Sequence, residues 1–229
     1  MTGPALSGRR IIVLGGTGGL GRSVVERFSS DGASVLVADT RLPADADRRE
    51  GVDYVTVDAL DEASVAAALA QSPPPAAVVN LIGGYTPPQS VSELDIAVLR
   101  QQLEVNLVTA AIVTKHAMPV LAAQAGGTIV HVSSRVAVQN GENGFAYSVS
   151  KLGVVRLVEA AAAEGREHGV RVNCIMPSII DTPANRAAIP RADFDRWPKP
   201  AELAAVLSFL ASDDAILISG AAIPVYGRA

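Results

Sequence analysis

Hydrophobic positions along the chain fall into short, nearly unbroken runs that alternate with longer segments of helical period. The runs at 11–14, 34–38, 54–57, 76–81, 127–132, 170–175 and 221–225 have strand length and are rich in Val, Ile and Leu. Between them the pattern predicts helices at 21–30, 62–71, about 98–124, 146–167 and 200–211, with a short helix near 91–96. Pro73, Pro74 and Pro75 close the second of these, because proline has no N–H with which to continue a helix. Residues 40–51 read as a surface connection with a short helical turn, 83–92 as a Gly/Pro-rich loop, and 181–199 as an extended mixed segment. Strands that are apolar on both faces and separated by helices imply a parallel sheet covered on both sides. Right-handed crossovers then give an α/β fold, a single doubly wound domain over 1–229 with a mostly parallel seven-stranded sheet. Ligands of such sheets bind beyond the carboxyl ends of the strands. Residues 15–21, Asp39, Asp58, 80–84, Ser133, Ser134, Pro177 and Ser178 all fall there.

Composition narrows the classes. Hydrophobic residues make up 49% of the 229 and charged residues 18%, ample for a buried core. No apolar run approaches the length of a membrane span, and residues 1–8 lack the order of a secretory signal, so a cytoplasmic protein that does not engage a membrane is expected. Cys174 sits within an apolar run and reads as a small core residue. The three histidines are scattered and provide no metal-site spacing. A formal charge of −4 without a basic stripe argues against nucleic-acid binding.

The first strand runs into Gly15-Gly16-Thr17-Gly18-Gly19-Leu20-Gly21 and then into a helix. A strand, a tight glycine turn and a helix N-terminus present free N–H groups and a helix dipole to an anion such as a pyrophosphate; the bland alternative is a tight structural turn. Asp39, at the end of the second strand, has the placement of a carboxylate that accepts hydrogen bonds from an adenosine ribose, which favours NAD, with NADP as the alternative. Arg22 and Arg41 are candidate partners for a 2′-phosphate and pull the other way. Asp58, after the third strand, reads equally as an adenine contact and as a helix N-cap. Tyr147 and Lys151 stand at i and i+4 and share one helix face. A free tyrosine has a pKa of about 10, and a nearby cation lowers it, so Tyr147 is a candidate acid/base, against the alternative of a helix-surface pair. Lys151 is also a candidate donor to a nicotinamide ribose, and Ser134 a candidate holder of the reacting oxygen.

These residues, taken together, resemble the short-chain dehydrogenase/reductase family over essentially the whole chain. The resemblance is carried by Gly15-x-x-x-Gly19-Leu20-Gly21, Asp58, Asn80-Leu81-Ile82-Gly83, Asn106, Ser134, Tyr147-x-x-x-Lys151 and Pro177-Ser178-x-x-x-Thr182. It implies a Rossmann fold and a catalytic set of Asn106, Ser134, Tyr147 and Lys151. It implies a cofactor site of Gly15, Thr17, Gly18, Gly19, Leu20, Gly21, Asp39, Asp58, Asn80, Gly83, Tyr147, Lys151, Pro177, Ile180 and Thr182. In the family the serine positions the substrate oxygen, the tyrosine is the acid/base, and the lysine holds ribose and tunes the tyrosine. The asparagine holds a water that links lysine to solvent, and the threonine binds the nicotinamide amide. The implied activity is hydride transfer between NAD(P) and a small-molecule alcohol or carbonyl, by an enzyme acting on CH–OH or C=O groups.

The chain also departs from the family pattern. Leu14 stands where threonine is usual, Asn80-Leu81-Ile82-Gly83 replaces Asn-Asn-Ala-Gly, Pro177-Ser178 replaces Pro-Gly, and the end Ile223-Pro224-Val225-Tyr226-Gly227-Arg228 lacks the usual aspartate and second glycine. None of these removes a group that does chemistry, and together they suggest a divergent subgroup. The stretch from Ile180 to Arg186, with Phe194 and Trp197, is similar to dihydropteridine reductases, although those generally lack the serine kept here as Ser134. Pterin reduction and a non-catalytic NAD(P)-binding sensor or scaffold are the alternative functions. Substrate-facing candidates are Tyr85, Thr86, Pro87 and Pro88, then Arg135, Gln139, Glu142 and Asn143, then Asn185, Arg186, Phe194 and Trp197 on a lid at 181–199. For Trp197, packing under the lid and substrate contact are equally good readings. The two long helices, rich in Ala and Val, suggest a homodimer or homotetramer, unless both only cover the sheet.

Overall fold

In the computed structural model, which describes residues 5–124, 126–139 and 144–228, every one of the apolar runs is a strand. These are β1 (Arg10–Leu14), β2 (Ser34–Asp39), β3 (Val52–Thr56), β4 (Ala77–Asn80), β5 (Gly127–Val132), β6 (Val170–Pro177) and β7 (Ala222–Val225). They form one sheet in the order β3-β2-β1-β4-β5-β6-β7. All six pairings are parallel, so the sheet is parallel throughout. Strand order reverses between β1 and β4, which opens a crevice at the carboxyl ends. The register aligns those ends: Leu14 lies opposite both Ala38 and Asn80, Val132 opposite Ile175, and Pro177 opposite Val225.

The described residues form seven α-helices, α1 (Gly19–Ser30), α2 (Glu62–Leu69), α3 (Ile96–Gln102), α4 (Thr109–Ala122), α5 (Phe145–Gly165), α6 (Pro183–Ala188) and α7 (Pro200–Ala211), and the longer ones cover the sheet. Strand residues alternate between two cores. Ile12, Leu36, Val78, Ile129 and Val172 face the layer that holds Val65, Val113 and Val158. Ile11, Val35, Val79, Val130 and Ile175 face the layer that holds Phe28, Leu203 and Leu207.

Between α3 and α4 the backbone widens into a π-helical turn, Leu103–Val108, and Ile96–Ala122 runs on as one rod of 27 residues. Contrary to the sequence expectation, this rod has the length and hydropathy of a membrane span. Yet 44% of its apolar window is buried, and Val113, Ala117 and Leu121 pack into the core. The expected short helix near 91–96 is a 3-10 turn, Val91–Glu93. The helix expected to reach 167 stops at Gly165, followed by a 3-10 turn, Arg166–His168, that Gly169 ends with a left-handed φ of 68°.

Candidate active site

The glycine turn is built by exclusion. Gly15 adopts φ +78°, and a Cβ there would press on Leu81 and Ile82 of the neighbouring strand end. A Cβ on Gly21 would overlap the Gly15 carbonyl. Gly18 is the N-cap of α1 and offers no side chain to the first-turn N–H groups. Those donors and the positive end of a helix of 12 residues face the crevice together, which fits a pyrophosphate. Leu20 packs into the core beneath the turn. Asp39 is docked on the same turn: its Oδ2 accepts from Thr17 N at 3.1 Å and Thr17 Oγ1 at 2.7 Å. Arg22 Nε donates to Thr17 O at 3.1 Å, and Arg41 is exposed. Asp58 is not the cap of α2. Asp61 is, accepting from Ala63 N at 2.9 Å because the helix starts at Glu62, while Asp58 Oδ1 accepts from Leu60 N in a local turn.

Helix α5 presents Tyr147 and Lys151 to the end of β5. Two hydrogen bonds stitch the elements: Ser133 Oγ donates to Lys151 O at 2.8 Å, and Lys151 Nζ donates to Val132 O at 3.0 Å. Ser134, the next residue, faces the Tyr147 hydroxyl and acts to lower its pKa. Tyr85, from the 83–92 loop, packs edge-on to Tyr147 with centroids 5.1 Å apart. Burial pushes the Tyr147 pKa up and outweighs the lowering effect of Ser134, with Tyr85 raising it further. Lys151 Nζ lies 5.9 Å from the Tyr147 ring centroid, and burial pushes its own pKa down to about 8. Desolvation is the larger effect in this geometry, and Tyr147 stands as a neutral phenol at pH 7.

Asn106 occupies the π-helical turn and is buried. Its Nδ2 donates to Gly84 O, Gln102 O and Gln102 Oε1 at 3.0, 3.1 and 3.3 Å, and its Oδ1 accepts from Gly84 N at 3.0 Å. Gly83 is wedged beside it. A Cβ there would stand 2.8 Å from both Asn106 Oδ1 and Lys151 Nζ. Asn80 turns inward, donating from Nδ2 to His131 Nδ1 at 3.3 Å and accepting from Ile82 N at 3.1 Å. Its contribution is to shape the strand end that carries Gly83.

After β6, which ends at Pro177, the chain returns to the glycine turn. Thr182 Cγ2 lies 3.0 Å from where a Cβ on Gly19 would be, and the Ile180 carbonyl accepts from Thr182 N and Asn185 Nδ2, both at 2.8 Å. Asp181 ties the neck of the 181–199 segment, taking Arg186 at 2.5 and 2.8 Å and Lys199 Nζ at 2.6 Å. Trp197 is buried and packs on Phe194 at 5.0 Å, which selects the packing reading of that residue. On the other side, Tyr85, Pro87, Pro88 and Leu94 close around Tyr147 and leave a gap of only about 10 Å³. The 83–92 loop is held there by a bridge between Gln89 and Gly144. Arg135 lies 5.6 Å above the Tyr226 ring, and Gln139 is exposed. Glu142 and Asn143 lie outside the described residues.

Sequence reasoning missed His131 and Gln102. Only the i to i+4 spacing of Gln102 and Asn106 on a helix offered a signal. A cavity of about 780 Å³ opens at the opposite, amino ends of the strands, between Arg9, Thr128, Arg171 and Gly220, and includes none of the site residues above.

The geometry can be set beside known proteins. The family model described as short chain dehydrogenase matches residues 9–192. The cis-4-hydroxycyclohexanecarboxylate dehydrogenase of Sinomonas cyclohexanicum is 32% identical over 245 aligned residues, covering 98% of this chain and 98% of the relative. The 7alpha-hydroxysteroid dehydrogenase of Bacteroides fragilis is 28% identical over 239, covering 95% and 92%. A short-chain type dehydrogenase/reductase from Mycobacterium ulcerans superposes with a TM-score of 0.89 at 28% identity, covering 98% of this chain and 90% of that one.

Proposed function

The chain belongs to the short-chain dehydrogenase/reductase family, an NAD(P)-dependent oxidoreductase of alcohol and carbonyl groups, and we propose that Tyr147 is its proton-transfer residue, with NAD as the preferred cofactor and a ring-bearing secondary alcohol or ketone as substrate. The observation that carries this is the meeting of Ser134, Tyr147 and Lys151 where β5 ends against α5. When bound, the nicotinamide accepts or supplies the hydride at the substrate carbon. Ser134 Oγ holds the reacting oxygen. In reduction the Tyr147 hydroxyl gives its proton to that oxygen, so the carbonyl becomes an alcohol. In oxidation the same oxygen returns the proton. Lys151, charged below about pH 8, stabilises the phenolate between these events. Asn106 and Gln102 fix Gly84, and with it the loop that faces Lys151.

The NAD preference rests on Asp39, whose carboxylate at the glycine turn would repel a 2′-phosphate. The ring-bearing substrate rests on relatives named for a hydroxycyclohexanecarboxylate and a hydroxysteroid, and on the exposed Tyr85 ring beside Tyr147. The segment 181–199 covers the substrate, and the subunits form a homodimer or homotetramer through α4 and α5.

Replacing Tyr147 with Phe tests the assignment. Turnover should fall by about 10²–10⁴-fold, the usual contribution of a general acid, while NADH still raises the melting temperature. Near-normal turnover by the variant would sink the role, and a larger thermal shift with NADPH than with NADH would reverse the reading of Asp39.

A further inference from the structure

We propose that Arg135 anchors an anionic group on the substrate, so that the alcohol or ketone handled at Tyr147 carries a carboxylate; this rests on the reading of Ser134 and Tyr147 given above. Arg135 directly follows Ser134, the holder of the reacting oxygen. A tight turn fixes its backbone, with Ala137 N donating to Ser134 O at 3.0 Å and Gln139 N to Arg135 O at 3.0 Å. The side chain reaches from the end of β5 past the end of β6 to Tyr226, just beyond β7, so it stands on the rim where the strands end. Tyr226 is itself fixed, since its carbonyl accepts from Ser178 Oγ at 2.7 Å and its ring packs on the core.

An aromatic shelf orients a guanidinium but takes none of its N–H donors. Five other cations near these strand ends are engaged. Arg186 and Lys199 hold Asp181, Arg196 Nε donates to Arg228 O, Arg22 to Thr17 O, and Lys151 to Val132 O. Among the described residues, none accepts a hydrogen bond from the Arg135 side chain, and Asp181, the acidic group on the substrate side, is already doubly paired. A half-buried guanidinium matches a carboxylate through two parallel N–H···O bonds. One such fork fits a carboxylate better than a phosphate.

The experiment compares 2-, 3- and 4-hydroxycyclohexanecarboxylates with their methyl esters, using NAD⁺ and three proteins: wild type, Arg135→Met and Tyr226→Asp. Wild type should prefer an acid over its ester by at least tenfold in kcat/KM. Arg135→Met should erase that preference mainly through KM, and Tyr226→Asp should reduce it by pairing with the guanidinium. A thermal shift with NADH confirms that each variant is folded with its cofactor site intact, and Arg135→Met decides the matter should Tyr226→Asp fail this check. Equal or ester-favouring rates in wild type, or an acid preference that survives Arg135→Met, overturn the proposal and leave the dehydrogenase reading standing. If wild type turns over no acid and no ester, the ring-alcohol reading fails and takes this proposal with it.

Discussion

His131 shows what a single residue can do without touching the site's chemistry. It is fully buried in β5, with Asn80 on one ring nitrogen and Thr114 Oγ1 on the other at 2.9 Å. Thr114 gives its only proton to Ala110 O, so it must accept from His131 Nε2–H, and Nδ1 is left to accept from Asn80. The ring is neutral: burial, aided by Lys151, pushes its pKa down to about 4. An unfolded histidine titrates near 6.5. Between those values the unfolded chain binds the extra proton, so stability rises with pH across that window and is lost as pH falls through it. The difference amounts to about 3 kcal/mol at full extent. His131→Asn should flatten the slope of unfolding free energy between pH 4 and 6.5 in urea titrations; a variant slope equal to that of wild type would contradict this. None of this was legible in the sequence, because the partners of His131 lie 17 and 51 residues away. Tyr147 and Lys151 were legible for the opposite reason, since one helical turn brings them together. The direction of the tyrosine shift was not, because burial is a property of the fold.

Among the elements, the strands were readable from the sequence because a parallel sheet buries both faces, which leaves uninterrupted apolar runs. The π-helical turn was not, since no residue type announces it, yet it is what carries Asn106 toward Gly84. The segment 181–199 reads in the sequence as an extended mixed segment and a lid, and one carboxylate closes its neck. Asp181 is held well below the usual carboxylate range by Arg186 first and Lys199 second. A carboxylate depressed in this way contributes above its unfolded pKa and stops contributing only as pH falls below it, so the neck should hold at mildly acidic pH. Asp181→Ala releases both cations and the Phe194 stack beneath Arg186. The expected outcome is a several-fold rise in substrate KM with little change in the NADH thermal shift, and faster limited proteolysis within 181–199. Unchanged KM and an unchanged cleavage pattern would show that the segment does not cover the substrate.

For the whole molecule, the question is what lies outside the two long helices. Helix α5 has an inward face, where Lys151 is buried, and an outward face, where Phe145 and Leu152 are 43% and 37% exposed. These two are one heptad apart, so they lie on the same side of the helix. Val108, at the end of the π-helical turn, is 40% exposed. Not every small residue on these helices serves a partner. Gly153 admits Leu107 of the same chain, since a Cβ there would stand 2.7 Å from Leu107 Cδ2. What remains exposed is an apolar strip on the helix that carries Tyr147, and apolar area is what a stable interface of about 800 Å² per partner requires at its centre. A contact here would brace α5 from behind while its front holds Tyr147. Light scattering should therefore give the mass of at least two chains for wild type. Leu152→Glu, which buries a charge in the contact, should give a lower mass and a melting temperature that no longer rises with protein concentration. A wild-type protein that remains a strict monomer across the concentration range would remove the contact from the reading, leaving α4 and α5 only as covers for the sheet.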